Sequence, residues 1–200
     1  MVYTDLHYFG ALSYYLELAR HEQIVFDGRT NFSKMSFKNR MVIATAQGPL
    51  HLTIPIVGGR DQKTPMNEVR IAYDSPWSAQ HFKAIYINYK RAPYFEYYVD
   101  SLKALYENEH VYLNDFLVAT QKWTKEQLKA KWLIEIANEQ TSSNMENKWV
   151  DASKPNNFHT TSNTFQYQQV FDNSTGFIQN VCIIDALFAM GGKQLLSMLS

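Results

Sequence analysis

Apolar positions recur along this chain with two periods, and the switches between them mark out its elements. Val2, Leu6, Tyr8 and Phe9 stand among polar partners, which reads as an extended segment over residues 2–9. Leu12, Tyr15, Leu16 and Ala19 fall at i, i+3, i+4 and i+7, one face of a helix ending near Arg20 and His21. Ile24-Val25-Phe26, closed by Asp27-Gly28, predicts a strand and a turn. Residues 41–45 predict another strand, with Gln47-Gly48-Pro49 as the bend of a hairpin. In the second arm Leu50, Leu52, Ile54 and Ile56 alternate with His51, Thr53 and Pro55, so the aliphatic side chains share one face. Pro55 marks an edge or the strand's end. Val69, Ile71 and Tyr73 predict a further strand after a polar loop.

The period then becomes helical. Ser75-Pro76 opens a helix whose main stripe is Phe82, Ile85, Tyr86 and Tyr89, with Trp77, His81, Ala84 and Asn88 beside it. Pro93 ends that helix and starts the next, where Phe95, Tyr98, Leu102, Leu105 and Tyr106 share a face. Leu113, Phe116, Leu117 and Thr120 predict a third helix, and the capping-box pattern Thr124-Lys125-Glu126-Gln127 starts a short fourth. Trp132, Ile134 and Ile136 predict a strand. Residues 138–164 are rich in Asn, Ser, Thr and Lys and have little regular pattern, the mark of a binding loop, a lid or disorder. Phe165 to Phe171 reads as extended, and Ile183, Ile184, Leu187 and Phe188 as a helix stopped by Gly191-Gly192. The fold class expected is a single α/β domain over residues 1–200: a mixed sheet, flanking helices, and a long polar loop before a C-terminal strand and helix.

Composition narrows the function classes. A hydrophobic content of 46% is enough for a substantial core. Lysine plus arginine equals aspartate plus glutamate at 19 each, which gives no footprint for nucleic acid and leaves self-association into a homo-oligomer open. The single cysteine, Cys182, forms no intramolecular disulfide, in keeping with a reducing compartment. The first residues carry no basic signal-peptide region, and no apolar run is long enough to insert in a membrane, so a cytoplasmic location is expected.

No standard catalytic or nucleotide-binding motif is present, and no cofactor is indicated. Cys182 has apolar neighbours and reads as structural. Six scattered histidines, none paired at i, i+4, indicate no metal site. His81 has two readings: a core-edge histidine bonded to a backbone carbonyl, or a general base or substrate-binding group. Lys34, Lys38, Asn39 and Arg40 form the densest basic cluster, either a clamp for a carboxylate or phosphate or a solvated loop. Glu96 and Asp100 share a helix face and read mainly as surface charges.

Several blocks together resemble the WbqC-like protein family: Thr4-Asp5-Leu6-His7-Tyr8-Phe9, then Lys34 with Asn39-Arg40, then Gly48 through Leu52-Thr53-Ile54-Pro55. Trp77-x3-His81 and Tyr89-x3-Pro93-Tyr94-Phe95-Glu96 are similar to the family core, and Tyr167-x-Gln169-x-Phe171 and Ile183-Ile184-Asp185 to its C-terminal block. Three positions depart from the pattern: Gly10 stands where proline is usual, Cys182 where serine is usual, and Ser153 where an arginine is usual. Cysteine is a poorer helix cap than serine, at a cost of up to ~1 kcal/mol. The resemblance implies a role in bacterial surface polysaccharide (O-antigen-type) biosynthesis. On that basis the chain is expected to be a transferase passing an acyl or aminoacyl group to a nucleotide-activated amino sugar. Its partner would be a small-molecule sugar or nucleotide-sugar substrate. The expected catalytic residues are His81 and Lys34, and the expected substrate contacts His7, Asn39, Arg40, Trp77, Tyr89 and Gln169. The alternative is a non-enzymatic glycan or nucleotide-sugar binding or scaffold protein.

Overall fold

The computed structural model describes residues 1–28, 30–59, 63–137, 155–160 and 165–200. The first unit is β1 (Val2–Thr4), α1 (Leu12–Leu18) and β2 (Gln23–Phe26). β1 and β2 pair in parallel, Val2 opposite Ile24 and Thr4 opposite Phe26. The hairpin follows as β3 (Arg40–Thr45) and β4 (Gly48–Thr53), antiparallel, with Arg40 opposite Thr53. Three long helices come next: α2 (Trp77–Tyr89), α3 (Phe95–Glu107) and α4 (Leu113–Leu128). β5 (Leu133–Ile136) then returns to pair in parallel with β2, giving the order β1-β2-β5. The chain ends in α5 (Asp172–Thr175), α6 (Ile183–Met190) and α7 (Gly192–Leu199). The α/β class is as expected, with its parallel and antiparallel pairings divided between two sheets. β2 is the central strand, and Ile24, Val25 and Phe26 are all buried, as both faces and both edges of a parallel strand demand.

Several elements differ from the periodicity. α4 runs unbroken through Thr124, whose hydroxyl donates to the carbonyl of Thr120 one turn back (2.8 Å) instead of capping a new helix. Around Val69–Tyr73 only single bridges form, Ile56 with Ile71 and Arg70 with Tyr112, so the expected strand is a two-sided coil. Residues 165–169 join no sheet, and Val170 and Phe171 turn into α5, so the extended segment expected over 165–171 forms no strand. Ser75 makes no side-chain cap at the start of α2. The buried stripe of α2 is Trp77, His81, Ile85 and Tyr89, a strict i+4 row, while Tyr86 is 44% exposed. Neighbouring rows on one helix differ by a small rotation, and contact with the hairpin and α6 selects the row that carries His81. Most of the 138–164 stretch lies outside the described residues; Phe158 within it is buried.

Gly192 opens α7 where that helix meets the end of α4. A Cβ there would lie 1.9 Å from the backbone oxygen of Gln127, so only glycine allows this approach. Among the described residues no helix is long and apolar enough to cross a membrane.

Candidate functional site at the carboxyl end of the parallel sheet

Parallel pairing brings the carboxyl ends of β1 and β2 side by side. Asp5 follows β1 and Asp27 follows β2, and the Asp27 amide donates to the Thr4 carbonyl (3.0 Å). Open parallel sheets bind their ligands at this end, where the loops diverge. Asp27 and His7 are buried there. Lys38 reaches in from the next loop and is also buried. Its ammonium lies 3.3 Å from an Asp5 carboxylate oxygen and donates to the Thr30 hydroxyl (2.9 Å) and the Asn31 carbonyl (3.1 Å). Thr30 in turn donates to the other Asp5 oxygen (3.0 Å). Burial of charge is costly unless it is paired, so this constellation is a built feature of the fold.

The turn that carries His7 is held on both sides. Gln121 of α4 donates to the His7 carbonyl (2.9 Å), and the Tyr14 hydroxyl donates to the Asp5 carbonyl (2.8 Å). The His7 imidazole stacks on the Tyr14 ring, centroids 4.2 Å apart and planes 20° from parallel. Gly10 makes that stack possible, since a Cβ at this position would lie 2.6 Å from the Tyr14 ring. Phe9 completes the turn in the left-handed region, at φ 41°.

Lys38→Met should test how much the constellation contributes to stability. Removing the ammonium takes one charged partner from the Asp5 carboxylate, which keeps some water contact, so the expected loss is about 2 kcal/mol in urea unfolding. A loss below about 0.5 kcal/mol would mean that the pair contributes no more than an exposed one.

The other residues singled out by the sequence lie elsewhere. Lys34 is exposed on the loop that Lys38 pins. The Asn39 side chain donates to the Ile54 carbonyl (2.9 Å) while the Ile54 amide donates to the Asn39 carbonyl (2.8 Å), so Asn39 clamps the hairpin. Arg40 donates through Nε to the Thr53 hydroxyl (2.9 Å) and is half-buried at the hairpin's rim. Trp77 is buried against Phe116 and His81 and walls a cleft between α2 and α3.

His81 is buried, and both imidazole nitrogens face the protein. The Tyr8 hydroxyl donates to Nδ1 (2.9 Å), and the Thr53 carbonyl accepts from the other side of the ring. Tyr8 in turn pairs with the Tyr106 hydroxyl. Burial pushes the His81 pKa down to about 4, with the Thr53 carbonyl opposing only in part, so the ring is neutral at pH 7. Burial also pushes the phenols of Tyr8 and Tyr106 well above their ordinary range. The network is a row of neutral groups tying β1's turn to α2 and α3.

A second buried network surrounds Asp185 at the start of α6. Its carboxylate accepts from the Tyr89 hydroxyl (2.7 Å), the Tyr167 hydroxyl (2.7 Å) and the Gln169 amide (3.0 Å). Tyr89 accepts from the Ala44 amide (3.0 Å), which fixes its hydroxyl toward Asp185. Gln169 also exchanges hydrogen bonds with the Ile178 backbone in both directions (2.8 and 3.0 Å). Tyr89 and Gln169 therefore join α2, β3 and α6. Burial raises the Asp185 pKa above the usual carboxylate value, and the three donors oppose that rise.

A model of the WbqC-like protein family matches residues 7–154, three-quarters of the chain's length. The chain belongs to the WbqC-like protein family. No curated protein and no solved structure matches it. Two of the three departures from the WbqC-like pattern now have a structural setting. Gly10 admits the Tyr14 ring, and Cys182 sits at the N-cap of α6 with no side-chain cap bond. Burial raises the Cys182 thiol pKa far above the range of a reactive cysteine. Asp185, in the third position of that helix, points its carboxylate at the tyrosines instead of closing a capping box. Ser153 lies outside the described residues. In this WbqC-like chain Asp5 and Asp27 were the candidates that periodicity missed, while Lys38 stood in the basic cluster without being told apart from Lys34. The available signal was an aspartate directly after each of two short apolar strands.

Proposed function

We propose that this chain is a cytoplasmic transferase of bacterial surface polysaccharide assembly, passing an acyl or aminoacyl group to a nucleotide-activated amino sugar. The observation that carries this reading is the convergence of Asp5, His7, Asp27 and Lys38 at the carboxyl end of the parallel sheet, in a chain of the WbqC-like family. Buried titratable groups near the strand ends of a parallel sheet are candidates for a reaction centre. In this reading Asp27 and His7 take the proton from the acceptor amine as its nitrogen attacks the donor carbonyl. The new nitrogen–carbon bond forms, the bond to the donor's leaving group breaks, and that group leaves with a proton. Lys38 supplies a fixed positive charge, and Lys34 and Arg40 meet an anionic donor at the approach. His81, Tyr89 and Gln169 act by holding the frame, since their polar atoms are already engaged with the protein.

One observation favours the second reading, a non-enzymatic binding or scaffold protein. Among the described residues Asp5, Thr30 and Asn31 all engage the Lys38 ammonium, which makes it a fixed charge in the frame. Thermal unfolding against nucleotide sugars and acyl donors separates the two. A ligand at about a hundred times its dissociation constant should stabilise the wild type by ~2.7 kcal/mol. For a domain of this size that is a rise of about 5–10 °C. Asp27→Asn should lose the shift. Product formation by mass spectrometry with wild type but not with His7→Gln supports transfer; a ligand shift with no transfer from any acyl donor supports binding alone; no shift with any of these compounds overturns both readings.

A further inference from the structure

Lysine plus arginine balances aspartate plus glutamate over the whole chain, at 19 each, but not over its surface. Two adjoining depressions, of about 530 and 650 Å³, lie where the last turns of α4 meet the start of β5 and the first turns of α3 and α7. Lys122, Lys125 and Lys129 line the first, and Lys129 and Lys193 the second. Glu126 is the one acidic residue that lines either. Lys122, Lys125 and Lys129 fall at i, i+3 and i+7, along one face of α4 as far as its C-cap. None of the four lysines has an ion-pair partner among the described residues.

Helix electrostatics account for only part of this charge. Lys125 and Lys129 stand at the C-terminal end of α4, where the macrodipole favours a cation. Lys122 lies before the last turn, and the effect fades beyond that turn. Lys193 stands in the first turn of α7, the end at which a helix repels a cation. Apolar side chains stand out at the same place. Tyr97 at 77% and Leu133 at 60% are the two most exposed large hydrophobic residues among those described. Tyr97 lines the second depression and Leu133 the first.

We infer that this end of the molecule docks on an anionic lipid surface, lying on the membrane without crossing it. Positive charge set around exposed apolar side chains matches the two levels of a bilayer face. The ammonium groups meet the phosphate headgroups, at which four lysines make a polybasic cluster. Leu133 and the Tyr97 ring reach the boundary between headgroups and acyl chains, where amphipathic rings settle. The long lysine stems let those apolar tips down while the charges stay at headgroup level. A nucleic acid would use the charge and leave Leu133 facing water. An apolar protein surface would bury four unpaired ammonium groups.

The inference stands apart from the transferase reading, because lipid vesicles carry neither acyl donor nor sugar and none of these residues belongs to the sheet-end site. The full chain is sedimented with vesicles of phosphatidylcholine alone and of phosphatidylcholine mixed with an equal part of phosphatidylglycerol. Binding to the anionic vesicles only, falling as added salt shortens the Debye length, is the expected result. Lys122→Gln combined with Lys193→Gln changes two exposed residues and relieves a repulsion at the start of α7, so this protein should fold. At about fivefold per lysine, it should bind about twenty-five-fold more weakly. Tyr97→Ser should weaken binding severalfold and leave its salt dependence unchanged. Equal binding to phosphatidylcholine vesicles, no binding to the anionic ones, tighter binding to duplex DNA than to either, or wild-type affinity in the double variant would each overturn the assignment.

Discussion

Asp185→Ala should be the most damaging single substitution in this chain, lowering stability by about 4 kcal/mol in urea unfolding at pH 7. The side chain is small, so lost packing is a minor part of the cost. What remains is a buried hole faced by the Tyr89 and Tyr167 hydroxyls, which lose their acceptor, and by the Gln169 amide, which keeps only its bond to the Ile178 carbonyl. Each orphaned buried donor costs roughly 1–3 kcal/mol. Tyr89 cannot turn away, because the Ala44 amide occupies its other side. Adding Tyr167→Phe to Asp185→Ala should therefore recover part of the loss, whereas two independent sites would add. Simple additivity in that cycle would rule out the network as the cause. The pH dependence has a defined sign. The folded Asp185 pKa is raised above the unfolded value of 3.8, so the folded state binds this proton first. Its contribution to stability grows as pH falls through the raised value toward 3.8, and Asp185→Asn should lack that gain.

His81 should give the opposite slope. Its pKa is about 4 in the folded protein against 6.5 unfolded, so between those values the unfolded chain binds a proton that the folded one refuses. The stability it lends is fully present above 6.5 and is lost as pH falls toward 4. At about 1.4 kcal/mol per pH unit between the two values, the loss reaches roughly 3 kcal/mol. His81→Gln can still accept from Tyr8 and donate to Thr53, so the frame survives while the titration disappears. Unfolding curves for wild type and variant should run close together at pH 7 and separate toward pH 4, where the wild type becomes the less stable of the two. Parallel curves would mean that His81 has the same pKa in the folded and unfolded states. His51, also held down by burial and by Arg40, is largely exposed and stays the same in both proteins.

The candidate site was only partly visible in the order of residues. His7 could be picked out by its neighbours, yet Lys34 and Lys38 sit in a loop with no period, and nothing local says which one is buried. The answer depends on Asp5 and Thr30, brought to Lys38 by strand pairing. The histidine in Trp77-x3-His81 drew attention for a chemical reason. Its surroundings, from Tyr8 and from the Thr53 carbonyl, leave it neutral and doubly held.

The sequence by itself determined the local elements: α1, the β3–β4 hairpin, the Pro93 break between α2 and α3, and the start of α6 at Cys182. Each follows from short-range rules of period, turn chemistry and capping, which act over a few residues. Membership of the WbqC-like family was also carried by contiguous blocks. The tertiary structure alone decided which face of α2 is buried, that α4 runs through Thr124, and that Asp5 and Asp27 stand side by side. It also decided that Asp185 serves Tyr89 and Tyr167 instead of its own helix. Those outcomes turn on contacts between distant segments, where desolvation of a charge or a hydroxyl outweighs any local preference.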